Sequence, residues 1–287
     1  MLTTGKAILD VANEHSFAVP AFNISDWAMF QGIVEISEET DAPLIVAIHP
    51  DEVRHIGREM ITGIIQRAHH ASVPIAIHWD HGGTYEQILQ AAQYGFTSVM
   101  IDGSLLPFDE NVALSRKVAD SAHALGLSVE GELGTIGAND SYAEAGAATI
   151  IYTDPDDAVT FVEQTGVDSL AIAIGTYHGF FPAHLKPELK LDLLKEIKGR
   201  VRIPLVLHGG SNNPDDEIAE AARTGINKIN ISTDIKVAYH NKMREVLGND
   251  PKVREPNAIQ PACIDAMKVV AAQKIELFGA AGKGSLY

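Results

Sequence analysis

The feature that most constrains the fold of this chain is a short apolar segment that recurs eight times, each time followed by a helical pattern. The segments lie at 18–23, 43–50, 74–81, 98–104, 128–134, 169–175, 204–211 and 228–234. A mean spacing of about 30 residues is that of one βα unit. Because the segments are continuous apolar runs, they are typical of parallel strands covered on both faces. Eight such units predict a closed (β/α)8 barrel, the TIM barrel, rather than an open doubly wound sheet.

Two additions flank the predicted barrel. The stretch 3–16 predicts a helix that closes the bottom of the barrel, and the region 235–279 contains two further helical patterns. The prolines of 248–262 predict an ordered loop between those two helices. Since barrels of this kind commonly occupy about 250 residues, we expect 1–287 to form a single domain. The single cysteine, Cys263, lies in the second helical pattern, and we expect it to be buried.

The chain is strongly acidic, with 22 Lys and Arg against 38 Asp and Glu and a net charge of −16. Such a charge repels nucleic acid and anionic membranes, so neither is an expected partner. No apolar run reaches the roughly 20 residues of a membrane-spanning helix. The N-terminus also lacks the uninterrupted apolar core of a signal peptide, and we therefore expect a cytoplasmic protein. Because the charge also repels anionic substrates, a phosphate site must be built locally from backbone N–H groups and a few cations.

Histidines stand at the carboxyl ends of three predicted strands. His81 ends the third segment, His178 follows the sixth and His208 lies in the seventh. Enzymes on this barrel place their active sites at these strand ends, so the three imidazoles should meet at one mouth. Catalytic zinc sites take three protein ligands and leave one position open. The pattern therefore predicts a zinc site, although each histidine taken alone could equally be structural.

The remaining histidines carry weaker predictions. His49 also ends a strand and His78 lies within the third, and either could line the pocket as a hydrogen-bond donor. The others lie on predicted helices or loops, where a solvated or capping role is the better expectation; they are His15, His55, His69, His70, His123, His184 and His240.

Two strand ends are rich in glycine and hydroxyl groups. The seventh segment continues into Gly209, Gly210 and Ser211, where the glycines allow close approach of N–H groups to an anion. The eighth ends in 230–234 at the start of a helix, and the loops after strands seven and eight are the usual phosphate site of this barrel. Each motif alone could be only a turn or an N-cap. Together the two motifs predict the local phosphate site that a chain with a net charge of −16 needs to bind an anionic substrate.

With these residues in place, the chain resembles the class II (zinc-dependent) fructose- and tagatose-bisphosphate aldolases across nearly its whole length. Six ordered stretches carry the resemblance; they lie at 78–81, 99–104, 129–137, 168–179, 204–211 and 225–234. The resemblance implies a lyase of carbohydrate metabolism that reversibly cleaves a ketose 1,6-bisphosphate to dihydroxyacetone phosphate and an aldehyde. It also implies one zinc ion per chain, an additional monovalent cation, and a homodimer or homotetramer.

The resemblance also implies roles for individual residues. His81, His178 and His208 would bind the zinc, and Asp80 would transfer the proton. Glu132 resembles an acidic residue that contacts a displaced metal in some members. The residues that would hold dihydroxyacetone phosphate are Gly179, Gly209, Gly210, Ser211, Asn230, Ile231, Ser232 and Thr233.

The chain departs from the family pattern in two places. After the fifth segment, typical members carry adjacent acids behind a Gly-Gly pair; here Asp140 or Glu144 is the candidate for proton exchange at the enediolate carbon. After Ser211 the chain has asparagine where a glycine is common. We expect the loop around Asp140 and Glu144, together with Lys252 and Arg254 from a neighbouring subunit, to select the aldehyde.

One local feature limits how Asp80 and His81 can act together. Consecutive residues of a strand point to opposite faces, so both can serve one site only if the chain bends as the third strand ends. The Gly82-Gly83 pair that follows favours such a bend.

Three other functions stay open at this stage. A related aldolase could accept another ketose phosphate or an unphosphorylated aldehyde, and a noncatalytic aldolase partner subunit would be expected to lack the histidine triad. A zinc hydrolase on the same barrel would usually need a bridging Lys or Asp. A Schiff-base mechanism needs a lysine at a strand's carboxyl end, and Lys228 opens the eighth segment at its other end.

Overall fold

The structure, a computed structural model, describes residues 1–138, 146–147, 149–182 and 184–287. Its strands are β1 (Val19–Asn23), β2 (Leu44–Ile48), β3 (Ile75–Gly82), β4 (Ser98–Ile101), β5 (Ser128–Leu133), β6 (Gly137–Ala138), β7 (Ser169–Ile172), β8 (Tyr177–His178), β9 (Leu205–Leu207) and β10 (Ile226–Ile231). All but β6 and β8 pair in parallel around a closed barrel, with β10 beside β1. The predicted (β/α)8 barrel is confirmed, and each predicted segment contains or overlaps one barrel strand.

The helices are α1 (Gly5–His15), α2 (Trp27–Glu39), α3 (Pro50–Ile56), α4 (Arg58–His69), α5 (Tyr85–Tyr94), α6 (Phe108–Ala124), α7 (Pro155–Thr165), α8 (Leu191–Arg200), α9 (Asp215–Thr224), α10 (Thr233–Asn249) and α11 (Pro256–Leu277), followed by a 3-10 turn at Gly284–Leu286. Hydroxyl and carboxylate caps begin several of them: Thr4 accepts from the Ala7 N–H, and Thr84 from that of Gln87. Among the described residues, no helix is long and apolar enough to cross a membrane.

The strands are buried along their whole length, which explains why their sequences are continuous apolar runs. Every residue of the eight barrel strands is buried, since one face meets the barrel interior and the other the surrounding helices. Burial of an Ile or Val side chain contributes roughly 1.5–3 kcal/mol. The strands therefore form a rigid support for whatever stands at their carboxyl ends.

The N-terminal helix lies against the amino ends of the strands, as predicted. Leu2 forms a bridge with Ile75 at the start of β3. At Gly5 an added Cβ would come within 2.6 Å of the Ser98 hydroxyl and 3.0 Å of the Ser128 hydroxyl. These serines open β4 and β5, so α1 packs across the bottom of the barrel.

The C-terminal extension corrects one prediction. The connection between α10 and α11 is only 250–255, shorter than the predicted loop, because two of its prolines belong to the second helix. Pro256 takes the first helical position, where a missing N–H costs no hydrogen bond, and Pro261 lies inside the helix. Cys263 is buried in α11, as expected.

The two C-terminal helices have different structural tasks. α11 packs against α2, α9 and β1, and so completes the outer ring of helices around the barrel. α10 lies on α11 and buries only Ile235 and Tyr239 of its own length. An ion pair of 3.0 Å between Lys274 and Asp234 fixes the start of α10 to α11. α10 is therefore an additional helix that begins at the barrel mouth and lies outside the ring.

Candidate active site

Three histidines converge at the carboxyl ends of β3, β8 and β9. One nitrogen from each of His81, His178 and His208 lies within 4.8 Å of the others. The ring centroid of His81 lies 4.5 Å from that of His208 and 5.1 Å from that of His178. In the described part of the chain, His81 Nε2, His178 Nε2 and His208 Nδ1 are buried and have no hydrogen-bond partner. Buried polar atoms are normally paired, so three such nitrogens facing one point make a possible metal site.

Two of these imidazoles are oriented by carboxylates. His81 Nδ1 donates to Asp102 Oδ2 at 3.0 Å, and His208 Nε2 donates to Glu130 Oε1 at 2.7 Å. Each carboxylate fixes the proton on one ring nitrogen and leaves the lone pair of the other facing the centre, the arrangement that metal-binding histidines commonly show. Burial and the positive charge of His81 hold the pKa of His178 well below its usual range, so that this ring is neutral.

The backbone at His81 explains how two consecutive residues serve one site. His81 has a φ of +50°, in the left-handed region, and the pairing of β3 with β4 shifts register between Trp79 and Gly82. The expected bend is present, but His81 itself adopts the unusual conformation rather than the glycines after it. Gly82 is needed for another reason, since an added Cβ would lie 2.7 Å from the carbonyl oxygen of Met100.

Asp80 is buried and held by two amides. Asn23 Nδ2 donates to Asp80 Oδ2 at 2.7 Å, and Asn230 Nδ2 donates to Oδ1 at 3.2 Å. Burial alone would raise the pKa of Asp80, but positive charge on nearby groups, chiefly His81 with Lys228, outweighs it and holds this pKa well below its usual range. The carboxylate is therefore ionised and fixed at the floor of the cleft.

Behind the histidines, the barrel interior contains a buried ion network. Lys228 Nζ donates to both Glu130 oxygens, at 2.9 and 2.7 Å, and lies 3.3 Å from His78 Nε2. His78 Nδ1 is 2.7 Å from the Ser98 hydroxyl. Burial and the charge of Lys228 lower the pKa of His78 to about 3, so His78 is neutral. This histidine therefore supports the network below the site and does not line the cleft.

A second acidic group adjoins the histidines. His81, Asp102 and Glu132 also offer ligand atoms within 4.8 Å of one another. Glu132 Oε2 is buried without a partner in the described residues. Burial and the charge of Asp102 raise the pKa of Glu132 well above its usual range. The family resemblance implied a metal contact for Glu132, and in the structure its carboxylate lies beside His81.

The glycine-rich strand ends form one wall of a cleft of about 260 Å³. Six of the eight predicted phosphate-binding residues line it, namely Gly179, Gly209, Ser211, Asn230, Ser232 and Thr233. Gly209 has a φ of +64°, and an added Cβ would lie 2.5 Å from the Tyr177 carbonyl oxygen. Ser232 and Thr233 stand at the N-terminus of α10, where unsatisfied N–H groups and the helix dipole favour an anion.

The other two predicted phosphate residues do not line the cleft. The Gly210 N–H donates to the Asn230 carbonyl oxygen at 3.1 Å, and an added Cβ would lie 2.4 Å from Ile229. Ile231 is fully buried. Both shape the wall from behind, because Gly210 lets the β9 loop approach β10 closely.

The asparagine that follows Ser211 has a structural explanation. Asn212 has a φ of +59°, a left-handed conformation that asparagine tolerates better than most residues. Its side-chain amide donates to the Gly179 carbonyl oxygen at 3.2 Å. Asn213 donates to the Gly209 carbonyl oxygen at 2.8 Å. The two asparagines thus tie the loops after β8 and β9 together.

A face of α10 forms another wall of the cleft. Lys236, Val237, His240 and Arg244 line it, together with Phe180 from the loop after β8. The sequence did not predict that Lys236, His240 and Arg244 would line the cleft. Their spacing of four residues directly after the eighth-strand motif was the available signal, since residues i, i+4 and i+8 share one helix face.

None of the four residues predicted to select the aldehyde is among the described residues that line the cleft. Asp140 and Glu144 lie outside the described residues. Lys252 and Arg254 lie in the exposed loop between α10 and α11 and do not line the cleft of their own chain. Among the other histidines, His49 caps α3 by accepting from the Asp51 N–H. His123 contacts Asp168, away from the cleft.

Two carboxylates that orient the histidines, Glu130 and Asp102, were not predicted from the sequence. Glu130 and Glu132 alternate along β5, so both point into the barrel. Asp102 follows β4 at a strand end. Acids at alternate positions of a predicted core strand were the signal that could have identified Glu130 beside Glu132, which the sequence analysis had named.

Comparison with known proteins gives a consistent result along the whole chain. Residues 3–283 match the family described as Fructose-bisphosphate aldolase class-II. A fructose-bisphosphate aldolase of Thermus caldophilus is 36% identical, covering 99% of this chain and 100% of that protein. One from Staphylococcus aureus strain Mu50 is 38% identical, with coverages of 98% and 99%. The crystal structure of the YdjI aldolase from Escherichia coli K12 is similar with a TM-score of 0.86 at 33% identity, covering 99% and 100% of the two chains.

Proposed function

Because this chain belongs to the class II fructose-bisphosphate aldolase family and is a lyase, we propose that it reversibly cleaves a ketose 1,6-bisphosphate of the fructose or tagatose type. The products are dihydroxyacetone phosphate and an aldehyde. Zinc dependence is a property of this family, and we assign one zinc ion to each chain.

One observation carries the proposal: the three unpaired imidazole nitrogens lie beside an ionised carboxylate and a phosphate-binding wall in a single cleft. Three imidazoles with one open position suit zinc, which binds each ring in its neutral form. We assign His81, His178 and His208 as its ligands. Asp102 and Glu130 orient two of them.

When bound, zinc supplies Lewis-acid stabilisation of the negative charge that develops on the substrate oxygens. Asp80 takes the proton of the C4 hydroxyl during cleavage and returns it to the aldehyde oxygen during condensation. The amides of Asn23 and Asn230 hold its two oxygens in place for this transfer.

The phosphate of dihydroxyacetone phosphate binds at the wall formed by the loops after β8, β9 and β10. The positive φ of Gly179 and Gly209 lets backbone approach the anion, and Ser211, Ser232 and Thr233 add hydroxyl groups. A monovalent cation beside this wall belongs to the same proposal. The local groups are needed because the net charge of −16 repels the substrate.

Two further assignments complete the proposal. We assign proton exchange at the enediolate carbon to an acid of the loop that contains Asp140 and Glu144, with Glu132 as a contact for a displaced metal. We also assign a homodimer or homotetramer, in which Lys252 and Arg254, absent from the cleft of their own chain, would meet the cleft of a neighbouring copy.

The test combines metal analysis with an aldol assay. Purified protein should contain about one zinc per chain, condense dihydroxyacetone phosphate with at least one of several aldehydes, and lose this activity in a chelator. Added Zn²⁺ should restore it. Full turnover in chelator, with no transition metal in the protein, would contradict the proposal.

A further inference from the structure

A second cavity lies between β3 and the helices α3, α4 and α5. Its volume is about 250 Å³, close to the 260 Å³ of the catalytic cleft, and no described residue lines both. Trp79 and Asp80 are consecutive in β3, so their side chains leave the strand on opposite faces. Asp80 lines the cleft and Trp79 lines the second cavity. The strand itself therefore separates the two cavities.

The indole of Trp79 has a hydrogen-bond donor without a partner. Trp79 is only 1% exposed, and among the described residues its Nε1 has no acceptor. Phe96 packs edge-on against the indole, with the ring centroids 5.2 Å apart. Buried donors are normally paired, because an unpaired one loses its bond to water without replacement. Since Trp79 lines the cavity, a ligand held there with an acceptor atom can pair with this N–H.

Two arginines bring positive charge to the same cavity. Arg54 of α3 and Arg58 at the start of α4 both line it, and no Asp or Glu of the described residues does. Arg54 pairs at 3.0 Å with the exposed Asp51, an interaction that solvent screens. The Arg58 guanidinium carbon lies 5.3 Å from the centroid of the Tyr94 ring. Stacking of this kind leaves the N–H groups at the guanidinium edge available to an anion.

The N-terminus of α4 borders the cavity as well. Gly57 lines the cavity and is the N-cap of α4, with a φ of +78° and no side chain that caps the helix. The first N–H groups of a helix have no partner within it, and the helix dipole favours an anion there. Glu59, the acid of the first turn, is exposed and does not line the cavity.

The remaining lining suits the carbon atoms of a ligand and one more acceptor. Pro50 and Val53 of α3 line the cavity together with the ring of Tyr94. Gln87 also lines it, and its Oε1 accepts from the Gly83 N–H at 2.8 Å. That bond fixes the orientation of the amide and leaves its N–H groups to the cavity.

We propose that this cavity binds a small metabolite that has one phosphate or carboxylate group. The anionic group lies between Arg54, Arg58 and the N-terminus of α4, where hydrogen bonds to its oxygens are charge-assisted. Trp79 Nε1 donates to the same ligand, and its carbon atoms pack against Pro50 and Val53. The site needs neither a metal nor the aldol reaction, so it is independent of the proposed function.

Trp79 itself can report on binding. The chain has two tryptophans, and the other, Trp27, begins α2 and does not line the cavity. In a Trp27→Phe protein, the emission of Trp79 is followed during titration with inorganic phosphate, butyl phosphate and pentanoate. At least one of the two organic anions should give a saturable change.

The three titrations distinguish the ligands. Tighter binding of butyl phosphate than of inorganic phosphate supports an organic phosphate, and a response to pentanoate alone supports a carboxylate. Binding of inorganic phosphate alone would overturn an organic ligand. No saturable change with any of the three anions would overturn the site.

A substitution at the cavity tests where the anion binds. In the Trp27→Phe background, Arg58→Gln should weaken the affinity at least about tenfold, because a charge-assisted hydrogen bond is lost. Arg223→Gln is the matched control, since Arg223 pairs with Glu220 on α9 and does not line this cavity. It removes the same charge and should leave the affinity unchanged. A change in emission that Arg58→Gln leaves unaltered would place the anion elsewhere and overturn the site.

A resonance measurement tests the contact with the indole directly. In Trp27→Phe protein labelled with ¹⁵N-tryptophan, the indole N–H signal belongs to Trp79 alone. Binding should move this signal downfield, because the free N–H gains an acceptor. If the emission of Trp79 changes while its indole N–H signal stays in place, the ligand does not accept from Nε1 and the assigned contact is wrong.

Discussion

The two sides of the cleft hold their polar groups in different ways. The inner side consists of His81, His178, His208 and Asp80, and the outer side of Lys236, His240 and Arg244. On the inner side His208 is fully buried, and Glu130 and Lys228 form a chain of bonds of 2.7 Å behind it. On the outer side the exposed Arg244 bonds only a neighbour on its own helix among the described residues.

This difference has a physical consequence. Buried groups with several partners stay in one geometry and act in a low-dielectric surrounding, so their interactions are strong. Exposed cations are screened by solvent and salt, so each contributes less. We therefore expect changes on the inner side to remove the chemistry and changes on the outer side to have much smaller effects on turnover.

The largest effect is expected for His208→Ala. Removal of one of three proposed ligands should abolish both metal binding and turnover, while circular dichroism stays native because Lys228 still neutralises Glu130. Elemental analysis and the aldol assay measure the two losses. His123→Ala is the control, since this half-exposed ring contacts Asp168 and should leave both unchanged. Full metal occupancy in His208→Ala would show that His208 is not a ligand.

Asp80→Ala should separate chemistry from metal binding. Turnover should fall by roughly 10²–10⁴-fold, as for a lost general acid or base, with metal content near that of the wild type. Exchange of the enediolate-carbon proton should survive better than cleavage, because another group is assigned that step. Loss of zinc would make Asp80 a ligand or its support, and normal cleavage would leave it without a catalytic role.

Lys228→Met tests the buried network behind the site. The change leaves Glu130 as an unpaired buried charge, which should lower the free energy of unfolding by about 3–5 kcal/mol. Metal affinity should also fall, by about 10–100-fold, because Glu130 no longer orients His208 firmly. Thermal unfolding and metal titration measure the two effects.

The double variant Lys228→Met with Glu130→Gln is the control for this prediction. It removes the unpaired charge, so much of the lost stability should return, while metal affinity should stay low. A Lys228→Met protein as stable as the wild type would show that the network is solvated and does not support the site.

The smallest effect is expected outside the cleft. Lys252→Ala with Arg254→Ala should lower the preference for phosphorylated over unphosphorylated aldehydes by only a few-fold, because both side chains are exposed. The change should require an assembled oligomer, so the assay is repeated at protein concentrations that favour the monomer. If relative kcat/KM is unchanged under both conditions, these two residues do not select the aldehyde.

The inner side could be predicted from sequence because strand ends fix it. Once eight βα units are recognised, the topology brings the carboxyl ends of β3, β7 and β9, with the residues that follow them, to one mouth. That is why His81, His178 and His208 could be grouped without a structure. The bend at His81 could also be expected, though its position on the histidine rather than on Gly82 follows from the close packing of Gly82 against Met100.

The outer side could not be predicted in this way. The direction of a helix face depends on what the helix packs against, and the helical pattern of α10 is weak because only Ile235 and Tyr239 are buried. Sequence spacing could have shown that Lys236, His240 and Arg244 share a face, but not that this face meets the cleft. The pairing of α10 with α11, and of α11 with the barrel, determines that.

Because α11 completes the ring of helices around the barrel, the exposed face of α10 contributes little to the stability of the fold. We expect substitutions at the exposed His240 and Arg244 to leave the chain folded, whereas the buried acids and histidines of the inner side should allow almost none. The outer wall of the cleft can therefore change its charge and shape while the residues of the inner side stay in place.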